Sequence, residues 1–416
     1  MKLWPFSRSE EKRSRALVLD VVTTGKPVWS GNHFRAYAEE GYSANVVVNS
    51  AINRIANAVA TIDWRVRLGK EVLTEHPFID LMKRPNPMQS KAEWWRTRIS
   101  YLLLHGNSYI ERILLNKEVK ELWILRPDRM MIVPGESGIP RSFIYKVGKN
   151  EVIFRVDETT GDSDVQHTKL FNPLDDWYGQ SPLAPGAFAV DQHNAAMGWV
   201  QALLQNSARP SGALVLNAES SLSDDEFNRL RHEIETQYAG ARNAGRPMLL
   251  EGGLDWKQMG FSPDDMGIGA IKDSAARDIS LAFGVPPLLL NIPGDNTYSN
   301  YREARLGFYE DTIIPFLTYE VEELNAWLSP FFGGAVLEPI LETVEALAEK
   351  RMKLWEMADK SDDLTLNESR ALKGLPPMPE PLGSTLMTEI RSARPDPAQL
   401  PVDEQIMKEF VYGKDR

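Results

Sequence analysis

Six histidines, His33, His76, His105, His167, His193 and His232, come first, because imidazole is both a frequent metal ligand and a base that titrates near neutral pH. They are scattered, with no pair four residues apart on one helix face, and no HExxH, CxxC or calcium-loop pattern occurs. The chain has no cysteine, which excludes disulfides, thiolate zinc sites and cysteine nucleophiles together. "GIGAIKDS" (267–274) has the look of a phosphate-binding loop. It lacks the first glycine at the required spacing and follows no clear strand, so it reads as a helix with small residues for close packing. There is no GxSxG nucleophile elbow. The carboxylate pairs Asp175-Asp176 and Asp264-Asp265 could serve acid–base chemistry, but their settings are those of a turn and a helix start. His193 lies on an alanine-rich helix and reads as a packing or interface residue, and His232 on a charged helix reads as solvated. Trp94-Trp95 suits a core or subunit contact better than base stacking. No catalytic residue, metal ligand or cofactor site is nominated, and the chain is expected not to be an enzyme.

The elements that would position any site are legible in outline. "SANVVVNSAINRIANAVATIDWRV" (43–66) places Val47, Ile52, Ile55, Val59 and Ile62 at roughly helical spacing before a strand. "HPFIDLMKRPNP" (76–87) predicts a short helix stopped by prolines. "SKAEWWRTRISYLLLHGNSYIERI" (90–113) predicts a second helix, capped by Ser90 with Glu93 three residues on. Strand-like pieces follow at 119–135, 142–148 and 151–156, separated by turn residues. Ser181-Pro182 opens a helix that ends at Arg209-Pro210. A small α/β insert, with a strand at 211–216, a Ser223/Glu226-capped helix at 221–238 and two strands at 246–259, separates it from a helix over 264–285. The pair of helices is expected to be antiparallel with the insert at its tip.

At the other end of the second helix stands "VPPLLLNIPGDNTYSNYREA" (285–304), an apolar, proline-stiffened run and a polar loop before a long helix. Asn300 and Glu303 have capping-box spacing there, and Pro315 predicts a kink inside the helical pattern 300–328. Between 301 and 328 only Arg302 and Arg305 oppose Glu303, Glu310, Asp311, Glu320, Glu322 and Glu323. A loop at 329–338, a helix over 338–360, a short helix with a Thr365/Glu368 box and a loose, proline-rich tail complete the chain.

With 416 residues, 43% apolar and 25% charged, the sequence suits a folded α+β protein of several regions. No run approaches a membrane span, and the basic start has no apolar region of a signal peptide, so it reads as a mobile arm. A formal charge of −11 argues against clamping nucleic acid, since clamps carry a basic footprint, but is compatible with letting it pass.

"FGVPPLLLNIPGDNTYSNYREARLGFYEDTIIPFLTYEVEELNAWL" (283–328) resembles the signature of the HK97-like portal proteins of tailed bacteriophages. "WYGQSPL" (177–183), "NSARPSGAL" (206–214) and "LTLNESRALKGLPP" (364–377) resemble that family's other recognisable stretches, in the same order. "NIPGD" departs from the leucine-glycine-aspartate step of many relatives. The resemblance implies a ring of about twelve copies around a DNA channel at one capsid vertex. It implies a flexible arm over 1–29, a wing over 30–180 and 301–338, a stem of helices 181–209 and 263–285, and a clip over 210–262. A tunnel loop over 286–300, a crown over 339–385 and a tail over 386–416 complete that division. Asn291, Asp295, Asn296, Thr297, Tyr298, Ser299 and Asn300 would face DNA, and Pro286, Pro287 and Leu288 would anchor the loop. Glu303 and Pro315 belong to the kinked helix behind it. Glu226, Glu233 and Glu235 would present the clip to the large terminase subunit or an adaptor. The implied partners are further copies of the chain, double-stranded DNA, the large terminase subunit, the major capsid protein and a head-tail adaptor, with no membrane and no cofactor. Assembly would take place in the bacterial host cytoplasm, and the particle could be a phage, a prophage remnant or a gene transfer agent. A ring-forming adaptor or scaffold that passes no DNA, and a nucleic-acid-processing enzyme, stay as alternatives.

Overall fold

The computed structural model describes residues 34–135, 138–205, 212–216, 223–233, 254–258, 267–294, 298–375 and 377–392. The arm over 1–29 and His33 lie outside them. After helix α1 (Phe34–Ala36) and a π-helical segment (Tyr37–Ser43), helix α2 (Val46–Ala60) starts at Asn45, whose side chain accepts from the Val47 and Val48 amides at 3.0 and 3.1 Å. Val48, Ala51, Ile52, Ile55 and Val59 recur every three or four residues and are buried, which commits that face to the core.

Strand β1 (Asp63–Leu68) is the centre of a sheet with β2 (Glu71–Leu73) and β11 (Val336–Ile340), in the order β11-β1-β2. β11 corrects the sequence reading, which had a helix from 338. Val336–Ile340 pairs antiparallel with β1 instead, Val66 opposite Leu337 and Arg65 opposite Glu338, a distant partner that no local pattern reveals. Arg65 and Arg67 both reach Glu338 across this seam, at 3.4 and 2.5 Å. The sheet therefore ties residues 63–73 to residues 336–340. Helix α10 begins only at Ala348 and runs to Lys360.

Helices α3 (Pro77–Lys83) and α4 (Lys91–His105) follow. Ser90 caps α4 as expected, its hydroxyl accepting from the Glu93 amide at 3.3 Å. The helix does not continue to 113. Gly106 adopts a left-handed conformation (φ 78°), and Asn107–Leu115 is strand β3, between β4 (Glu118–Leu125) and β8 (Val165–Lys169). A Cβ on Gly106 would lie 2.7 Å from the Gly179 carbonyl carbon, so close backbone approach and the helix stop both demand glycine here. A second small sheet holds β5 (Met130–Val133), β6 (Ser142–Val147) and β7 (Asn150–Arg155).

Helix α5 (Leu183–Gln205) starts where Ser181 Oγ accepts from the Leu183 amide and donates to the Leu103 carbonyl. Helix α7 (Ile268–Ala282) lies along it in the opposite sense: Gly186 abuts Ala282, and His193 lies beside Lys272 and Asp273. Between them, β9 (Gly212–Leu216) and β10 (Leu254–Gln258) pair antiparallel, with α6 (Asp224–Glu233) in the same insert. Helix α8 (Tyr298–Gly307) passes through a π-helical turn (Phe308–Ile313) into α9 (Ile314–Leu328). Pro315 makes itself felt as this wide turn: it offers no N–H, and the Ile314 amide reaches back five residues to the Tyr309 carbonyl. Helix α11 (Leu366–Leu372) carries the expected Thr365/Glu368 box. The tail reading needs one correction. Residues to 392 include helix α12 (Met387–Ser392), tied back by Met387 N–H to the Leu364 carbonyl at 2.8 Å.

Candidate nucleic-acid interface

The segment between α7 and α8 is built from a helix stop. Gly284 is left-handed (φ 63°), its amide donates to the Leu281 carbonyl, and the Val285 amide reaches the Ser280 carbonyl at 3.0 Å. This double bond pattern closes α7, and Gly-Val-Pro-Pro is its sequence form. Thr312, in the π-helical turn, donates to the Gly284 carbonyl at 2.6 Å and so locks the stop to the long helix. Pro287–Leu290 then makes one 3-10 turn, closed by Asn291 in the left-handed region (φ 56°), which asparagine tolerates. Leu289 and Ile292 are buried, while Pro286, Pro287 and Leu288 are half-buried, so Leu289 supplies the firmest hold among the apolar residues. Arg54 on α2 donates to the Leu289 carbonyl at 2.6 Å, and Arg277 on α7 donates to the Pro293 carbonyl.

The polar segment is consequently shorter than the sequence suggested. Asn291 closes a turn on its own subunit, and Tyr298, Ser299 and Asn300 form the first residues of α8 rather than a loop. Asn300 is inside the helix and does not cap it, because the helix already starts two residues earlier. Asp295, Asn296 and Thr297 lie outside the described residues, between Gly294 and Tyr298. Ser299 and Asn300 are exposed. Sequence reading missed Arg54, Arg277 and Thr312, whose roles come from tertiary contacts that leave no local pattern.

The acidic character expected of 301–328 is also reduced in place. Glu320 is fully buried and pairs with Arg98 of α4, which also donates to Gln166 and Thr168 at 3.3 and 3.1 Å. Trp94 and Trp95 flank the guanidinium, with ring centroids 5.8 and 6.0 Å from it, so the tryptophan pair is core as expected. Glu310 pairs with Lys350, while Arg305 and Arg302 pair with Glu345 and Glu349. Glu303, Asp311 and Glu322 remain as exposed carboxylates of that element, and burial raises the Glu323 pKa.

In the insert, Glu226 is exposed but occupied. Its carboxylate accepts from the Ser223 amide at 2.9 Å and hydroxyl at 2.8 Å, and these bonds lower its pKa. Glu233 ends α6, and Glu235 lies outside the described residues. Of the histidines, His193 is buried beside Asn45, at 3.2 Å. His105 and His167 flank Asn107, each 2.9 Å from its amide group, and burial lowers their pKa values to about 4 and about 3. Among the described residues no group of three His, Asp or Glu could hold a metal ion, and no helix is long and apolar enough to cross a membrane.

Comparison with known proteins places this architecture. The family profile described as "Phage portal protein" matches residues 46–374. An uncharacterized protein of Rickettsia bellii is 39% identical over 341 residues, 81% of this chain and 88% of that protein. The neck of a native gene transfer agent particle, computed with C12 symmetry, contains a chain 43% identical to this one, with a TM-score of 0.66 over 85% of this chain and 96% of the other. An HK97-family phage portal protein from Corynebacterium diphtheriae, 15% identical, shares the fold with a TM-score of 0.54 over 76% of this chain and 99% of its own.

Proposed function

The chain belongs to the phage portal protein family and acts as a portal; on that premise we propose that twelve copies encircle double-stranded DNA, with residues 291–300 of each copy bordering the lumen. The protein forms a homo-oligomeric portal ring at a capsid vertex. Its role is structural.

The observation that supports the lumen assignment is the pinned base of the segment. The Gly284 stop, Arg54 on the Leu289 carbonyl and Arg277 on the Pro293 carbonyl hold the residues up to Gly294, and α8 resumes at Tyr298. A rigid base lets a short polar tip meet DNA without dragging the subunit along. Asn296, Thr297 and Asn300 carry no charge, so their contacts with phosphates are weak and exchangeable. A lysine at each position would instead displace counterions and hold the backbone, at a cost to sliding. Glu303, one turn into α8, adds repulsion behind the tip.

The ATP-driven step belongs on this reading to a large terminase subunit docked at the clip (210–262), with the wing against the major capsid protein and the head-tail adaptor taking the terminase's place later. The gene transfer agent necks favour that type of particle for this chain. Deleting residues 295–297 tests the lumen assignment: rings should still form while packaged DNA per particle drops at least several-fold. Undiminished packaging by such rings would remove the assignment and favour an adaptor that passes no DNA. Exchanging Glu226, Glu233 and Glu235 for lysine should weaken terminase binding before ring assembly. Because Glu226 also caps α6, the control is Glu226→Gln alone, which keeps an acceptor for Ser223.

A further inference from the structure

The loop between β8 and Gly179 displays two large apolar side chains to solvent. Phe171 is 85% exposed and Leu174 is 90% exposed, the two most exposed large apolar residues among the described ones. The loop is not slack. Asn172 Nδ2 donates to the Tyr178 carbonyl at 2.8 Å, and its Oδ1 accepts from the Leu174 amide at 3.0 Å. Asp175 Oδ1 accepts from the Trp177 and Tyr178 amides at 2.7 and 3.0 Å, and Lys169 holds the Asp176 carbonyl. A loop so bonded presents Phe171 and Leu174 in fixed positions, which is how an anchor is presented to a partner. Around Phe171 stand three carboxylates, Asp175, Asp176 and Glu323, and one ammonium, Lys169, which is held by the Asp176 carbonyl.

A complementary surface lies elsewhere on the same chain, between α2 and α8. A groove of 640 Å³ there has the buried Ala58, Leu289 and Phe308 at its floor, Tyr301 and Tyr309 beside them, and the amides of Asn49, Asn53 and Asn57 along its α2 wall. Its charged lining consists of Arg54 and Arg305, with no carboxylate, although Glu345 meets Arg305 from outside. A cyclic ring joins two different patches of identical chains, so a knob and its socket must sit on separate parts of one subunit. The β8–α9 side carries the knob, and the α2–α8 side carries the groove.

We infer that each copy in the ring seats Phe171 and Leu174 in the α2–α8 groove of the next copy, with Asp175 and Asp176 facing Arg54 and Arg305 of that neighbour. The inference rests on the ring established by family membership, and adds the contact that closes it. It also couples assembly to the channel, because the groove wall includes Leu289, at the base of the 291–300 segment.

The chain's lack of cysteine makes the test clean. Leu174→Cys combined with Asn57→Cys, on the groove rim, should give a covalent ladder up to the full ring when assembled protein is treated with a short bismaleimide. Either cysteine alone should give none. Absence of a ladder in rings shown to be intact by native mass spectrometry would overturn the inference. Independently, Phe171→Ser with Leu174→Ser should raise the concentration for half-assembly at least about tenfold, since two apolar anchors lose their burial. The monomer's unfolding midpoint should stay unchanged, because the bonds that shape the loop are kept. Rings of unaltered stability would contradict the contact. Wild-type protein that forms no ring would instead strike at the portal reading itself, so the two failures are distinguishable.

Discussion

Gly284 illustrates how much one residue decides. Its left-handed backbone ends α7, and a Cβ there would sit 3.0 Å from Thr312 Oγ1, the hydroxyl that fastens the stop to the long helix. Gly284→Ala should cost about 1–2 kcal/mol through backbone strain and a displaced Thr312, read as a lower denaturant midpoint. The histidines make a prediction about acid. His105 and His167 are held neutral, burial being the main cause, with folded pKa values of about 4 and about 3 against 6.5 for a free imidazole. Below pH 6.5 the unfolded chain takes up protons that the folded chain refuses, so stability falls as pH drops from about 6.5 toward 4, and further toward 3. Above that window the two groups add no slope. Unfolding midpoints measured across pH 3–8 should show this loss, and His105→Gln with His167→Gln should flatten it.

Among elements, the link between α4 and α9 is the one that a single change breaks. Arg98 and Glu320 are both fully buried, so removing either leaves a charge without its partner. Arg98→Ala or Glu320→Ala should each destabilise the fold by about 3–5 kcal/mol, whereas Arg98→Met with Glu320→Leu should recover most of the loss. Equilibrium unfolding of the three variants decides this. The same pair shows where sequence reading stops. Helices with local signals, such as α2 with its apolar stripe and α11 with its Thr365/Glu368 box, were legible from the residues alone. The run 90–113 was misread because Ile110 and Ile113 continue a helical spacing, while the decisive fact, Gly106 against the Gly179 backbone, is tertiary. β11 was missed because its partner lies far upstream, Val336 pairing with Arg67. The helix stop at Gly284 with its two prolines was legible, but the pinning of the following segment by Arg54 and Arg277 has no local signature. Glu320 was counted among the acids of 301–328, and its burial against Arg98 is tertiary for the same reason.

At the scale of the molecule, the negative balance and the pairing of its surface charges describe a conduit better than a grip. A net charge of −11 repels the DNA backbone at range, and on the proposed lumen assignment the polar tip would touch it without holding it. Association of the ring with free DNA should therefore be weak and should gain little between 200 and 50 mM salt, unlike that of a protein with many phosphate contacts, which gains several orders of magnitude. Asn296→Lys with Thr297→Lys should restore a measurable salt slope and slow packaging, an outcome visible in filter binding and single-particle packaging rates. All of this depends on closure of identical copies around a hole. Cryo-electron microscopy of the purified assembly tests that most directly. The account predicts a closed twelve-fold ring in which residues 294–298 of every copy line the central aperture; a solitary subunit, or a ring that carries these residues on its outer wall, would contradict it.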